Sequence, residues 1–140
     1  MSKKDDFQDA TDAYKRKDYE TAYKLILQLA EQGNANAQFN LGIMYEHGQG
    51  VPQDYKEAVK WYRLSAEQGN ASAQSNLGVM HNDGQGVPQD YKEAFKWFSL
   101  SGSNGYKDAV INRNIIEKRM TPQQIEKAQE LARNWKPTTK

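Results

Sequence analysis

The chain has 140 residues, 37% hydrophobic, 26% charged and 11% aromatic, with a mean hydropathy of −0.98. That is material for one domain or a short stack of repeats, and it is too aromatic for a disordered chain. A formal net charge of +1 gives no electrostatic reason to expect nucleic acid or an acidic membrane as partner, and the absence of cysteine excludes disulfides, thiolate metal sites and cysteine nucleophiles.

The predicted elements are all helical. Polar and acidic residues, Asp5, Asp6, Asp9 and Asp12, mark the first, over 6–16, and Asp18 opens a second over 18–32. Ala37, Leu41, Met44 and Tyr45 form the apolar stripe of a helix over 35–47. Gly48 and Gly50 stop it and Pro52 bars its continuation. Asp54 with Glu57 makes an aspartate version of the capping box for the next helix, 54–68, whose stripe is Tyr55, Ala58, Val59, Tyr62 and Ala66. Gly69 suits a left-handed C-terminal cap. The pattern then starts again, with helices over 71–83 and 90–103.

This is a duplication. Gly33 to Gln68 aligned with Gly69 to Asn104, without a gap, gives 24 identities in 36 positions, and Gly48 to Ala58 recurs letter for letter as Gly84 to Ala94. Trp61 recurs as Trp97, and both are expected to be buried between repeats. A further helix is predicted over 107–119, where Arg113, Asn114 and Glu117 stand at the positions of Leu41, Gly42 and Tyr45. Thr121, Pro122 and Gln124 open the last, over 122–134, which carries Ile125, Ala128, Leu131 and Ala132 and is followed by Trp135 and Pro137.

The run Ala37-Gln-Phe-Asn-Leu41-Gly42-Ile-Met-Tyr45, then Gly48-Gln-Gly50-Val51, Asp54-Tyr-Lys-Glu-Ala58, Trp61-Tyr62 and Ala66 resembles the Sel-one-like repeat (SLR), a relative of the tetratricopeptide repeat. The resemblance is close over 33–104, partial over 6–32 and weaker after 105. It implies an all-α, right-handed α/α superhelical solenoid of about four helical hairpins, first helices lining a concave face, used to assemble protein complexes and in bacterial signalling or host interaction. The expected organisation is a tail at 1–5, a capping hairpin at 6–32, repeats at 33–68 and 69–104, a divergent repeat with a capping helix at 105–135, and a tail at 136–140. The first hairpin departs from the pattern, since only Lys15-Arg16-Lys17 separates Tyr14 from Asp18.

Catalytic motifs are not found. His47 and His81 lack a second histidine at ligand spacing, and no Ser-x-x-Lys occurs, the motif that matters because some cysteine-rich relatives are linked to penicillin binding or β-lactamase activity. No Lys-Ser or Lys-Thr follows Gly48 and Gly50, so they read as a turn and not a phosphate cradle. No metal and no cofactor is expected.

The candidate site is a periodic row. Asn40, Asn76 and Asn112 recur every 36 residues, one position before Leu41, Leu77 and Arg113, and turn away from the buried ridge. Each amide offers a donor and an acceptor, fit for the backbone of an extended peptide, although the same amides could instead tie neighbouring helices together. By analogy with tetratricopeptide geometry the groove also shows Asn36, Phe39, Ile43, Glu46 and His47, then Ser72, Ser75, Val79, Asn82 and Asp83. The expectation is a non-enzymatic scaffold holding a protein or peptide, monomeric or weakly self-associating. The alternatives are an enzyme or enzyme-inhibiting module using His47 with Glu46, and a self-assembling structural protein. No apolar run is long enough to cross a bilayer or form a signal-peptide core. A soluble protein is expected, cytoplasmic, or exported with its signal outside the given chain.

Overall fold

A computed structural model describes residues 3–138. Among them lie eight α-helices and no strand: α1 (Lys3–Lys15), α2 (Tyr19–Glu31), α3 (Ala35–His47), α4 (Tyr55–Glu67), α5 (Ala71–Asp83), α6 (Tyr91–Ser103), α7 (Lys107–Glu117) and α8 (Pro122–Asn134). The expected boundaries hold to within one residue for α2 to α6 and for α8. Helix α1 starts three residues earlier than the expected 6, because its first turn is polar and carries no hydrophobic period to read, while α7 ends two residues before the expected 119. Of the expected tails, residues 1–2 and 139–140 lie outside the described residues.

Local chemistry explains the repetition. The side chains of Asn34 and Asn70 cap α3 and α5, each accepting an N–H bond at 2.9 Å, from Ala37 and Ala73. Asp54 and Asp90 cap α4 and α6 with the same backbone angles, φ −154° and ψ 105°. The reciprocal half of the expected box at Asp54 is not formed: its N–H donates instead to the Tyr45 carbonyl at 2.9 Å, tying the loop to the end of α3. A complete box is found only at Thr121 and Gln124 among these caps. Gly48 takes φ 67° to close α3, and a Cβ on Gly50 (φ 77°) would strike the Tyr19 carbonyl. The second loop glycine therefore serves close packing onto α2 as well as the turn.

Successive helices pack in order from α1 to α7, and α8 lies on α6. The core forms three consecutive groups, one centred on Ile26, Leu29, Leu41 and Met44, the next on Tyr62, Leu77, Met80 and Trp97, and the last on Phe95, Phe98, Ile116 and Met120. Trp61 and Trp97 are buried, 7% and 2% exposed. Gly42 and Gly78 let the rings of Tyr62 and Phe98 lie directly on the first helices. A buried amide ladder joins the repeats. Gln38 donates to the Ala30 carbonyl and accepts from Gln68, and Gln74 does the same with Ala66 and Asn104.

Candidate peptide-binding face

Two clefts lie side by side where first helices meet their neighbours. One, of about 230 Å³, is lined by Thr11, Tyr14 and Lys15 of α1, Ile26 of α2, and Asn40 and Ile43 of α3. The other, of about 240 Å³, is lined by Ile43, Glu46 and His47 of α3, Tyr62 of α4, and Asn76, Val79 and Met80 of α5. Asn40 with Asn76, Ile43 with Val79 and Ile26 with Tyr62 are each one 36-residue period apart, so the clefts are successive copies of one design. Ile43 forms a wall of both.

The polar groups are arranged differently in the two. The Tyr62 hydroxyl donates to Glu46 Oε1 at 2.6 Å and faces Asn76. Burial, then the Glu46 bond, pushes the Tyr62 phenol well above its ordinary range, so it stays a donor. Ile26, at the same position in the first cleft, offers no such group to Asn40. Nearby, the hydroxyls of Tyr23 and Tyr45 pair at 3.0 Å, and burial raises the Tyr45 phenol first, with the Tyr23 bond adding to it.

The structure brings together Ile43, Glu46, His47, Asn76 and Val79 in one cleft, with Asn40 in the next. Phe39 extends toward the Tyr62 ring, 6.1 Å between centroids. Other members of the expected groove stand apart. Asn36 is exposed near the start of α3 and accepts from the Asn70 amide at 3.1 Å, while Ser72 is exposed near the start of α5. Asn82 donates to Asp83 at 2.9 Å at the far end of α5, and Asn112 is half-buried on α7 and lines neither cleft. Ser75 corrects the expectation: it is 4% exposed, because its short side chain stays beneath the packing surface where Phe39, at the same register, reaches out.

Among the described residues, Asn40 and Asn112 form no side-chain hydrogen bond to a neighbouring helix; inter-repeat ties are made by Gln38 and Gln74, and also by Tyr14 with Gln49, Tyr23 with Tyr45 and Asn70 with Asn36. Residues missing from the sequence-based set are Thr11, Tyr14 and Lys15, hidden by the shortened first loop, Ile26 and Tyr62, which come from second helices, and Met80 of α5, a core residue that also borders the second cleft. Ile115 was legible by arithmetic. It follows Ile43 and Val79 at the same 36-residue interval and is 50% exposed, beside 37% for Val79, so an aliphatic row runs parallel to the asparagines one turn away.

Periodicity, loop and caps coincide with a family model, the Sel1 repeat, which matches residues 11–34, 35–70 and 71–106. The chain belongs to the Sel1 repeat family. Sel1 repeats build scaffolds that typically mediate protein interactions. Among solved structures, the chain is similar to c5321, a protective antigen of uropathogenic Escherichia coli strains with an SLR fold, at 31% identity and a TM-score of 0.91 over 96% of this chain and 30% of that one. It is also similar to a Sel1 repeat protein from Oxalobacter formigenes, at 41% identity and a TM-score of 0.68 over 69% of this chain and 40% of that one. The chain therefore spans less than half the length of either. Helicobacter pylori cysteine rich protein B, 22% identical with a TM-score of 0.63 over 79% of this chain and 96% of that one, shares the fold. No protein of curated function matches. Among the described residues of this Sel1 repeat chain, no helix is long and apolar enough to cross a membrane, and no group of three or more His, Asp or Glu is placed to hold a metal ion.

Proposed function

We propose that this chain is a non-enzymatic scaffold that binds an extended peptide, or an extended segment of a partner protein, along its first-helix face. The observation that carries the reading is the repetition of one cleft: an amide and an aliphatic side chain, Asn40 with Ile43 and Asn76 with Val79, presented at a fixed interval. An extended chain offers peptide groups and alternating side chains at regular spacing, which is what amides beside small apolar clefts can grip. Gln38 and Gln74 make inter-repeat ties, and the Asn40 amide has no side-chain partner among the described residues, while Asn76 faces the Tyr62 hydroxyl at the second cleft. Glu46, fixed by Tyr62, and exposed His47 supply selectivity at the rim of the second cleft.

The test is selection of binding peptides from a displayed library on the wild-type chain, followed by affinity and melting measurements on Asn40→Ala, Asn76→Ala and Asn112→Ala. Each change is expected to weaken binding by roughly 0.5–1.5 kcal/mol, as for a neutral hydrogen bond, and to alter the melting temperature less. Loss of stability with affinity retained would move these amides to a structural role and end the proposal for this face.

A further inference from the structure

The segment after α8 runs back over the repeats. Trp135 is extended (φ −71°, ψ 140°), and Pro137 keeps Lys136 extended after it. The Trp135 indole meets Trp97 edge-on, 6.3 Å between centroids and 74° between planes, and packs against the second core group. Three residues on, the Thr138 N–H donates to the Glu67 carbonyl at the end of α4, at 2.6 Å. The chain thus lays an aromatic side chain and an extended backbone across the second helices.

One repeat earlier, the same positions form a cavity of about 350 Å³. Trp61 stands where Trp97 stands, and Leu64 where Leu100 stands; Ala30 completes the apolar lining, Thr138 borders the cavity, and Glu31 and Glu67 bring carboxylates to it. Leu64 is 39% exposed, whereas Leu100 is half-buried in the group that contains Trp135. Adjacent residues of α4 serve different sites, since Tyr62 lines the Asn76 cleft and Trp61 this cavity. We propose that the Trp61–Leu64 cavity is a second peptide-binding site, separate from the first-helix face, which takes an extended partner segment carrying an aromatic side chain next to a basic one. The chain's own Trp135 on Trp97 is the internal precedent for the aromatic residue, and the carboxylates of Glu31 and Glu67 at the cavity supply the complement for the basic one.

The experiment titrates the full chain against a fluorescein-labelled peptide copying residues 132–138 and reads anisotropy. Saturable binding is expected, lost when the peptide's tryptophan is replaced by alanine. Leu64→Lys, at an exposed position, and Glu31→Lys should keep the wild-type melting temperature; Leu64→Lys should weaken binding about tenfold, the scale of one buried leucine side chain, and Glu31→Lys should weaken it too, more so at low salt. Absence of saturable binding would overturn the proposal, as would binding insensitive to Leu64→Lys. A sedimentation mass that doubles with concentration for the wild-type chain alone, and not for Leu64→Lys, would assign the cavity to a second copy and overturn it equally.

Discussion

The hairpins α3–α4 and α5–α6 share helix lengths, caps and loop geometry, with Gly48 and Gly84 at φ 67° and 68°, yet their interiors are chemically different. The first holds hydroxyl pairs, Tyr45 with Tyr23 and Tyr62 with Glu46. In the second, His81 replaces Tyr45, Val59 stands at the register of Tyr23, and Phe98 replaces Tyr62. The backbone path is unchanged by these replacements. What the hairpins keep in common, namely caps, loop glycines, the tryptophans and the glutamine ladder, is what sets the geometry; what differs tunes polarity inside it.

The largest expected effect falls on the shared part. Trp97→Ala should cost roughly 3–5 kcal/mol, from lost transfer energy and the cavity left behind. Trp61→Ala should cost less, because Trp61 is slightly more exposed and carries no second indole against it. Urea unfolding of both variants measures the difference. Equal costs would show that Trp135 contributes nothing through Trp97.

The glutamine ladder comes next. Gln74→Ala removes the partner of the Ala66 carbonyl and of the Asn104 amide at a side chain with no exposure, for a loss of roughly 1–3 kcal/mol. Gln38→Ala should fall at the lower end, since Gln38 retains 5% exposure and water can reach the groups it abandons. If neither change moves the denaturation midpoint, the ladder does not hold the repeats.

Nearly the whole architecture was legible because its signals are local: capping residues, loop glycines and a repeated apolar stripe each act within a turn or two of helix. The Asn40, Ile43, Asn76 and Val79 positions were legible for the same reason, being first-helix residues at a fixed interval. Tyr62 and Ile26 were not, since they reach the clefts from second helices and only packing decides where those side chains emerge. The four-residue difference in loop length hid Tyr14 and Lys15, because it breaks the numerical register between α1 and α3. Nothing local announces that Trp135 rests on Trp97, or that the buried amides of Gln38 and Gln74 reach back to the carbonyls of Ala30 and Ala66.

His81 gives the comparison a pH dependence. It is 6% exposed, and neither ring nitrogen has a hydrogen-bond partner among the described residues. Burial holds the imidazole below its ordinary value of 6.5, Arg63 and Lys96 acting in the same direction and Glu93 and Asp90 against it. The unfolded chain therefore takes up the proton more readily than the folded one, so stability is complete above about pH 6.5 and declines as the pH falls from there toward the lowered native value. His81→Phe should flatten that limb of the stability–pH curve and leave the carboxylate-dependent fall at lower pH in place. An unchanged curve would mean that the imidazole is solvated in the folded state.

The smallest effect converts one hairpin toward the other. Tyr62→Phe gives α4 the ring that α6 already has at Phe98, on the same glycine-lined surface of the preceding first helix, so no volume is lost and the packing on Gly42 remains. Only the hydroxyl, with its bond to Glu46 and its approach to Asn76, disappears. Glu46 is half-buried at the cleft edge and can be rehydrated, so the cost should stay near the net value of one hydrogen bond, roughly 0.5–1.5 kcal/mol, and not approach that of a stranded buried charge. The reverse change, Phe98→Tyr, should also destabilise, because Asn82 stands where Glu46 would be and the new hydroxyl gains no carboxylate. Together the two variants separate scaffold from cleft. If Tyr62→Phe leaves the fold intact but loosens peptides selected on the first-helix face, the hydroxyl serves recognition by fixing Glu46; if it unfolds the chain, the polar pair belongs to the framework after all and the two hairpins are less interchangeable than their backbones indicate.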